Sequence, residues 1–292
     1  MRRLVLVAGV GLGAAAAAAP QTPPTFSTAI QAVRVDVLVS EDERPLLGLS
    51  PADFEVRDNG VLQDVSFAST QKLPLNVILA LDASASVSGE PLQHLQAAGR
   101  TLLGRLAPED RAALVTFSQE VTLRQALTQE VDLVGRELAR IEPRGESAVF
   151  DGSYAAVMLG DADVGRDLVI VFSDAVDTAS WLPGDRVLDA ARRSDVVVYG
   201  VSVRSTQRPD FLRELSRLTG GSLLEVDSTR DLGPAFVRLL EEFRQRYLLS
   251  YVPQGVSSQG WHDLKVTVKR RRAVVNARAG YAASELAGGA AR

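Results

Sequence analysis

The chain has 292 residues, 46% of them hydrophobic and only 5% aromatic, which is enough to bury one large core or two modest ones. A formal charge of −4 argues against nucleic-acid binding, which needs a basic footprint. Cysteine is absent and His94 and His262 are the only histidines; disulfides, zinc–thiolate sites and cysteine nucleophiles are excluded, and little is left for histidine catalysis.

The first residues read MRRLVLVAGVGLGAAAAAAP. Arg2 and Arg3 precede an apolar run, Leu4–Ala19, that ends in small residues, the pattern of a secretory signal peptide over residues 1–19. The run is 16 residues long, short of the roughly 20 that cross a bilayer, so removal is expected; an uncleaved anchor is the alternative. Its glycines imitate a dinucleotide fingerprint only loosely, inside the leader. Losing Arg2 and Arg3 takes the charge from −4 to −6. The mature chain is expected to be acidic, without a membrane span, and exported to the periplasm or beyond.

Residues 20–72 form an N-terminal β segment. After the lead-in QTPPTFS, strands are predicted over 32–40, 53–58 and 62–68. Val33, Val35, Val37 and Val39 share one face of the first. Asp58–Gly60, "DNG", is a strong hairpin turn signal between the second and third.

From residue 73 to 246 strands alternate with helices. The strands are expected at 76–82, 111–117, 121–127, 167–173, 196–203 and 222–227. Helical segments lie between them: Leu92, Leu95, Leu102, Leu103 and Leu106 fall at near-helical spacing, and Phe236, Leu239, Leu240 and Phe243 line one face. The segment 209–221 begins with Pro209 and ends in glycine, as helix punctuation predicts. Uniformly apolar strands such as DLVIVFS and DVVVYGVSV imply a mainly parallel sheet covered on both faces. The fold class is α/β, doubly wound.

Strands without helices return at 247–253, 262–270 and 273–281, making a C-terminal β segment over 247–283 before a tail, 284–292, expected to be disordered. The basic run Lys269–Arg272 reads as a solvated hairpin turn. Neither flank alone has enough strands to close a core. Together they suit a small β-sandwich built from both chain ends; two separate hairpin extensions are the alternative.

The chemistry gathers at strand ends. In NVILALDASASVSG a buried strand ends in Asp82, Ser84 and Ser86, which project to one side of an extended chain. That side lies beyond the carboxyl end of a parallel strand, where open α/β sheets bind ligands. An all-oxygen, anionic set suits a hard cation. The plainer alternative is a turn in which Ser86 or Ser88 caps the next helix. A second strand ends in Ser173 and Asp174, followed by Asp177 and Thr178, and a Gly-containing loop places Ser147 and Asp151 at a helix start.

In this order the three loops resemble the von Willebrand factor type A domain and its metal-ion-dependent adhesion site. DASAS matches the family's Asp-x-Ser-x-Ser at Asp82, Ser84 and Ser86. GESAVFD matches its Gly-x-Thr-x-x-x-Asp loop with Ser147 in place of threonine, and VFSDAVDT matches the third loop at Asp174 with Ala175 where glycine is usual. Serine keeps the hydroxyl but loses the stiffness of a β-branched side chain. The flanks, LLGLSPADFEVRDNGVLQDVSF, RYLLSYVP and ARAGY, resemble a bacterial secreted branch of the same family.

The resemblance implies Mg²⁺, or Mn²⁺, at a site formed by Asp82, Ser84, Ser86, Ser147 and Asp174. Ser84, Ser86 and Ser147 would be direct ligands, with Asp82 and Asp174 acting through water. Asp151 would serve the helix start and Asp177 would stand further out. Neutral direct ligands leave positive charge for an incoming carboxylate, so the implied function is an exported module that grips an acidic side chain of a protein partner. The alternative is a structural scaffold of an envelope assembly in which the metal only stabilises or is absent. Catalysis is not expected: there is no Gly-x-Ser-x-Gly elbow, and both histidines are poorly placed as bases.

Overall fold

A computed structural model describes residues 32–70, 73–160, 165–174, 176–270 and 272–283. The expected signal peptide and the tail from 284 lie outside the described residues, as does Ala175. Five strands come first: β1 (Val33–Glu41), β2 (Arg44–Pro45), β3 (Phe54–Asp58), β4 (Val61–Gln63) and β5 (Val65–Ser69). The α/β layer follows as β6 (Leu75–Asp82), α1 (Glu90–Leu103), β7 (Arg111–Phe117), β8 (Val121–Thr128), α2 (Val131–Ala139), α3 (Val149–Leu159), β9 (Arg166–Phe172), α4 (Gly184–Arg192), β10 (Val197–Val203), α5 (Asp210–Leu218), β11 (Leu223–Val226) and α6 (Leu232–Arg244). Four strands close the chain: β12 (Tyr247–Tyr251), β13 (Gly260–Val268), β14 (Val274–Asn276) and β15 (Gly280–Ala283).

The central sheet has the order β11-β10-β9-β6-β7-β8. All its pairings are parallel except β7 with β8. Side chains alternate across each strand, and here both faces are covered. Val77, Leu79 and Leu81 of β6 join Leu95, Leu138, Phe236 and Phe243 in one core, whereas Ile78 and Ala80 join Phe117, Val157 and Leu215 in the other. Two cores fed by one strand explain why these strands read as unbroken apolar runs.

The flanking strands form two antiparallel sheets, β14-β1-β12-β5, with β2 on β1, and β15-β13-β3-β4. Strands from the two chain ends interleave: β12 lies between β1 and β5, and β13 between β3 and β15. They share one core of Val33, Val35, Val37, Val39, Phe54, Val56, Tyr247, Leu249, Tyr251 and Leu264. The sandwich is thus built from both ends, not from two independent hairpins. The β3–β4 hairpin turns at Asn59 and Gly60, whose φ angles of 47° and 83° are the pair that a two-residue turn of this hand requires.

Three local expectations are corrected. The predicted strand 62–68 is two strands, because the chain changes sheet at Asp64, from β4 on β3 to β5 on β12. The predicted strand 273–281 is likewise two, β14 on β1 and β15 on β13. The basic run at 269–272 therefore joins strands of different sheets and is not a hairpin turn.

Inside the sandwich Asp58 is fully buried and saturated. His262 Nδ1 lies 2.6 Å from Oδ1, and the Tyr251 and Tyr281 hydroxyls donate to Oδ2 at 2.9 and 2.8 Å. Sandwich and α/β layer meet at Arg246, which has no exposed surface. Its guanidinium donates to Tyr199 Oη at 3.0 Å and to the carbonyls of Asp36, Gly220 and Asn276 at 3.0, 2.7 and 3.1 Å. Nearby, Arg166 Nε donates to Asp36 Oδ1 at 2.8 Å while its guanidinium lies over the Phe243 ring. Replacing Arg246 by Met keeps the apolar stem but strips four acceptors of a buried donor, a loss expected to cost about 3 kcal/mol or more. In urea, Arg246→Met should split one unfolding transition into two, the sandwich melting first; a single transition at the wild-type midpoint would contradict this role.

Candidate metal centre

β6 is buried along its whole length and is flanked by parallel neighbours, so its carboxyl end is fixed before the loop begins. Ala83 N–H still reaches across to the Phe117 carbonyl at 2.7 Å. The chain then turns on its own side chain, Ser84 N–H donating to Asp82 Oδ1 at 2.9 Å, as aspartates do two residues ahead of a turn. A short 3-10 turn, Ala85–Val87, drops Val87 into the core and leaves Ser86 facing outward. The residue that precedes α1 is Gly89, and no side chain caps that helix. The serines are therefore not spent as helix caps.

Their hydroxyls run in a chain. Ser84 Oγ and Ser86 Oγ are 2.9 Å apart, and Ser86 Oγ donates to Asp174 Oδ1 at 2.8 Å. Ser173 Oγ donates to the other oxygen of Asp82 at 2.7 Å. Asp82, Ser84, Ser86 and Asp174 are thus brought together, and Ser173, whose role the sequence did not disclose, holds Asp82 in place.

Ser147 stands beside this chain and is held through its backbone. Its loop is pinned to the first by Arg144 N–H on the Ala83 carbonyl and Ala85 N–H on the Gly145 carbonyl, both at 2.9 Å. Gly145 has φ +69° and a Cβ there would press on Gln119 at 2.8 Å, so this close approach needs glycine. On its other side, the Ser147 carbonyl accepts Thr178 N–H at 2.9 Å and its N–H donates to Thr178 Oγ1 at 3.2 Å. The Ser147 hydroxyl has no hydrogen bond to the other four residues among the described residues.

Asp151 and Asp177 are used elsewhere. Asp151 accepts Trp181 and Leu182 N–H, each at 2.9 Å, as its expected service to the helix start and loop requires. Asp177 accepts Phe150 N–H at 3.1 Å and also takes the Ser180 hydroxyl, so its charge meets the first turn of α3.

No three Asp, Glu, His or Cys side chains gather to hold a metal among the described residues. The donors here are instead two carboxylates with serine hydroxyls. Neither Asp82 nor Asp174 has an ion-pair partner among the described residues, although Asp82 is wholly buried. Burial pushes the Asp174 carboxyl above its ordinary value; the Ser86 hydrogen bond pulls it back, and the Asp82 charge adds to the rise. Buried carboxylates without a cation and all-oxygen donors fit a hard divalent ion that keeps much of its water.

A raised carboxyl value means that folding favours the protonated form of Asp174. Its stabilising contribution is present below the ordinary aspartate range and is lost as pH rises through the folded value. With chelator at neutral pH, Asp174→Asn should therefore unfold at the same urea concentration as wild type or a higher one, the gap closing in acid. A clearly less stable variant would overturn this.

Residues 77–176 match the von Willebrand factor type A domain family. An uncharacterized protein of Synechocystis is 27% identical over 84 residues, 28% of this chain. The match spans only a fifth, 20%, of that relative's length. Among solved structures, a von Willebrand factor type A protein from Catenulispora acidiphila superposes with TM-score 0.53 at 11% identity, over 89% of this chain and 76% of the other. Proximal thread matrix protein 1 from the mussel byssus, described with a zinc-occupied metal-ion-dependent adhesion motif, gives TM-score 0.54 at 15% identity, over 62% of this chain and 48% of its own. At such identities the likeness is one of fold. Together with the family match and a sheet ordered β11-β10-β9-β6-β7-β8, it places a von Willebrand factor type A domain over residues 77–176 of this chain.

Proposed function

We propose that the chain is an exported protein-binding module that takes a divalent cation, Mg²⁺ or Mn²⁺, and through it an acidic side chain of a protein partner. The observation that supports this most is the hydrogen-bonded chain from Ser173 through Asp82 to the Ser84–Ser86–Asp174 line, with no cation paired to either carboxylate. Ser84, Ser86 and Ser147 would give neutral oxygens directly, and Asp82 and Asp174 would hold bound water. When bound, the cation supplies positive charge with a coordination position open to a carboxylate oxygen. The chain's own residues do the rest. Ser173 and the Ser84 N–H fix Asp82, and the Arg144 and Ala85 bonds set Ser147 against the first loop.

His262 is sealed in the sandwich against Asp58, and His94 on α1 lies 2.9 Å from Thr229 Oγ1. No helix among the described residues is long and apolar enough to cross a membrane. Export is inferred from the N-terminal residues of the sequence.

Titration calorimetry should show one Mg²⁺ site. Ser86→Ala removes an exposed hydroxyl and leaves the core untouched, so it should weaken Mg²⁺ at least about tenfold with unchanged melting; Asp82→Ala should abolish binding. No heat at millimolar Mg²⁺ would rule out the metal. Partner binding that survives chelation would favour the scaffold reading, in which the metal only stabilises.

A further inference from the structure

Trp181 is 91% exposed, the most exposed large apolar side chain among the described residues. A single exposed apolar residue is ordinary in itself. What sets this one apart is how firmly its backbone is held and where it lies. Trp181 and Leu182 N–H both bond to Asp151, Asp151 N–H bonds to Ser180 Oγ at 3.1 Å, and Phe150 N–H bonds to Asp177 at 3.1 Å. Four hydrogen bonds thus tie the loop to the first turn of α3, and the indole stands out from a fixed frame.

The same loop begins at Asp174, and Val176, 38% exposed, lies between. Thr178, three positions before Trp181, is bonded to the Ser147 carbonyl. Ala179 N–H reaches the same carbonyl at 3.2 Å, and two residues of chain reach at most about 7 Å, so the Trp181 backbone lies within about 10 Å of that carbonyl. Asp151 and Asp177 are both occupied by backbone N–H groups. Neither of these two carboxylates is thus free for a partner, and the loop that they hold presents the Trp181 indole.

We propose that Trp181, with Val176, is the apolar anchor of the partner surface, and that the partner is a protein segment carrying an aliphatic or aromatic side chain about three residues from its acidic one. The inference rests on the metal-centre reading above and adds what that reading lacks, a means of choosing among acidic residues. A carboxylate alone is common on protein surfaces; a carboxylate at a set distance from an apolar side chain is not. Large aromatic side chains dominate the energetics of interfaces, and one whose backbone is already fixed loses little further freedom on binding.

The test is selection of a phage-displayed library of random linear peptides on the immobilised full chain in Mg²⁺. Wild type should enrich an acidic residue together with an apolar one at constant spacing. Trp181→Ala should keep the acidic preference, lose the apolar one, and bind the selected peptide at least about tenfold more weakly, whereas Trp181→Phe should stay near wild type. Mg²⁺ affinity and thermal melting should be unchanged in both variants, since the side chain is exposed. If Trp181→Ala selects the same peptides with equal affinity, or if a basic residue is enriched at that spacing, this inference falls while the metal-centre reading stands. If wild type enriches nothing that depends on Mg²⁺, the metal-centre reading falls and takes this inference with it.

Discussion

A guanidinium with no exposed surface must find its solvation inside the protein, and Arg246 finds it in four different elements. Asp36 belongs to β1, Asn276 to β14, Gly220 follows α5, and Tyr199 lies on β10, its hydroxyl donating in turn to Glu242 at 2.9 Å. Of the three Arg246 guanidinium nitrogens, Nε alone has no acceptor among the described residues. Neither the sandwich nor the α/β layer can shift without breaking some of these bonds, since removing one member of such a buried set leaves the others unsatisfied. Arg166, paired with Asp36, starts β9, whereas Asp174 lies just past its other end. The junction and the loops are thus separated by a strand of seven residues, roughly 23 Å at about 3.3 Å per residue. The sandwich grips one edge of the sheet and leaves the opposite edge to the site.

At that opposite edge the sheet supplies rigidity and the loops supply chemistry. Asp82 ends a strand that is fixed by neighbours on both sides. Ser86, by contrast, is exposed and reaches Asp174 across the gap between two loops. A buried, oriented carboxylate beside a hydroxyl bridge between two loops is a frame whose electrostatic cost is already met by folding. The raised Asp174 carboxyl is a sign of that cost.

The central sheet was legible in the sequence because its strands are apolar on both faces, a signal that survives without tertiary knowledge. The serine spacing after Asp82 was legible for a similar reason, since alternation fixes the side on which residues project. The sheet changes at Asp64 and at 277–279 were not. The side-chain alternation runs through Asp64, and nothing local says that β5 will leave β4 for β12. One trace was present: Gln63, a buried polar side chain, pairs twice with the backbone of Gln254. Ser173 and Thr178 stood in plain view, but their hydrogen-bond partners lie far off in sequence and depend on the folded sheet.

Because β1 and β12 pair, Val33 meets Tyr251, roughly 200 residues later. At ribosomal rates of about 5–20 residues per second, the first strands wait roughly 10–40 s before their partners have been synthesised. Through that interval the valines of β1 present an unsatisfied apolar face and open strand edges, the features that invite aggregation. The α/β layer, with both of its cores supplied by contiguous sequence, has all it needs to form first and so to bring the two chain ends together. An insertion of this kind makes the inner layer a template for the outer one, and two late strands, β12 and β14, complete the first.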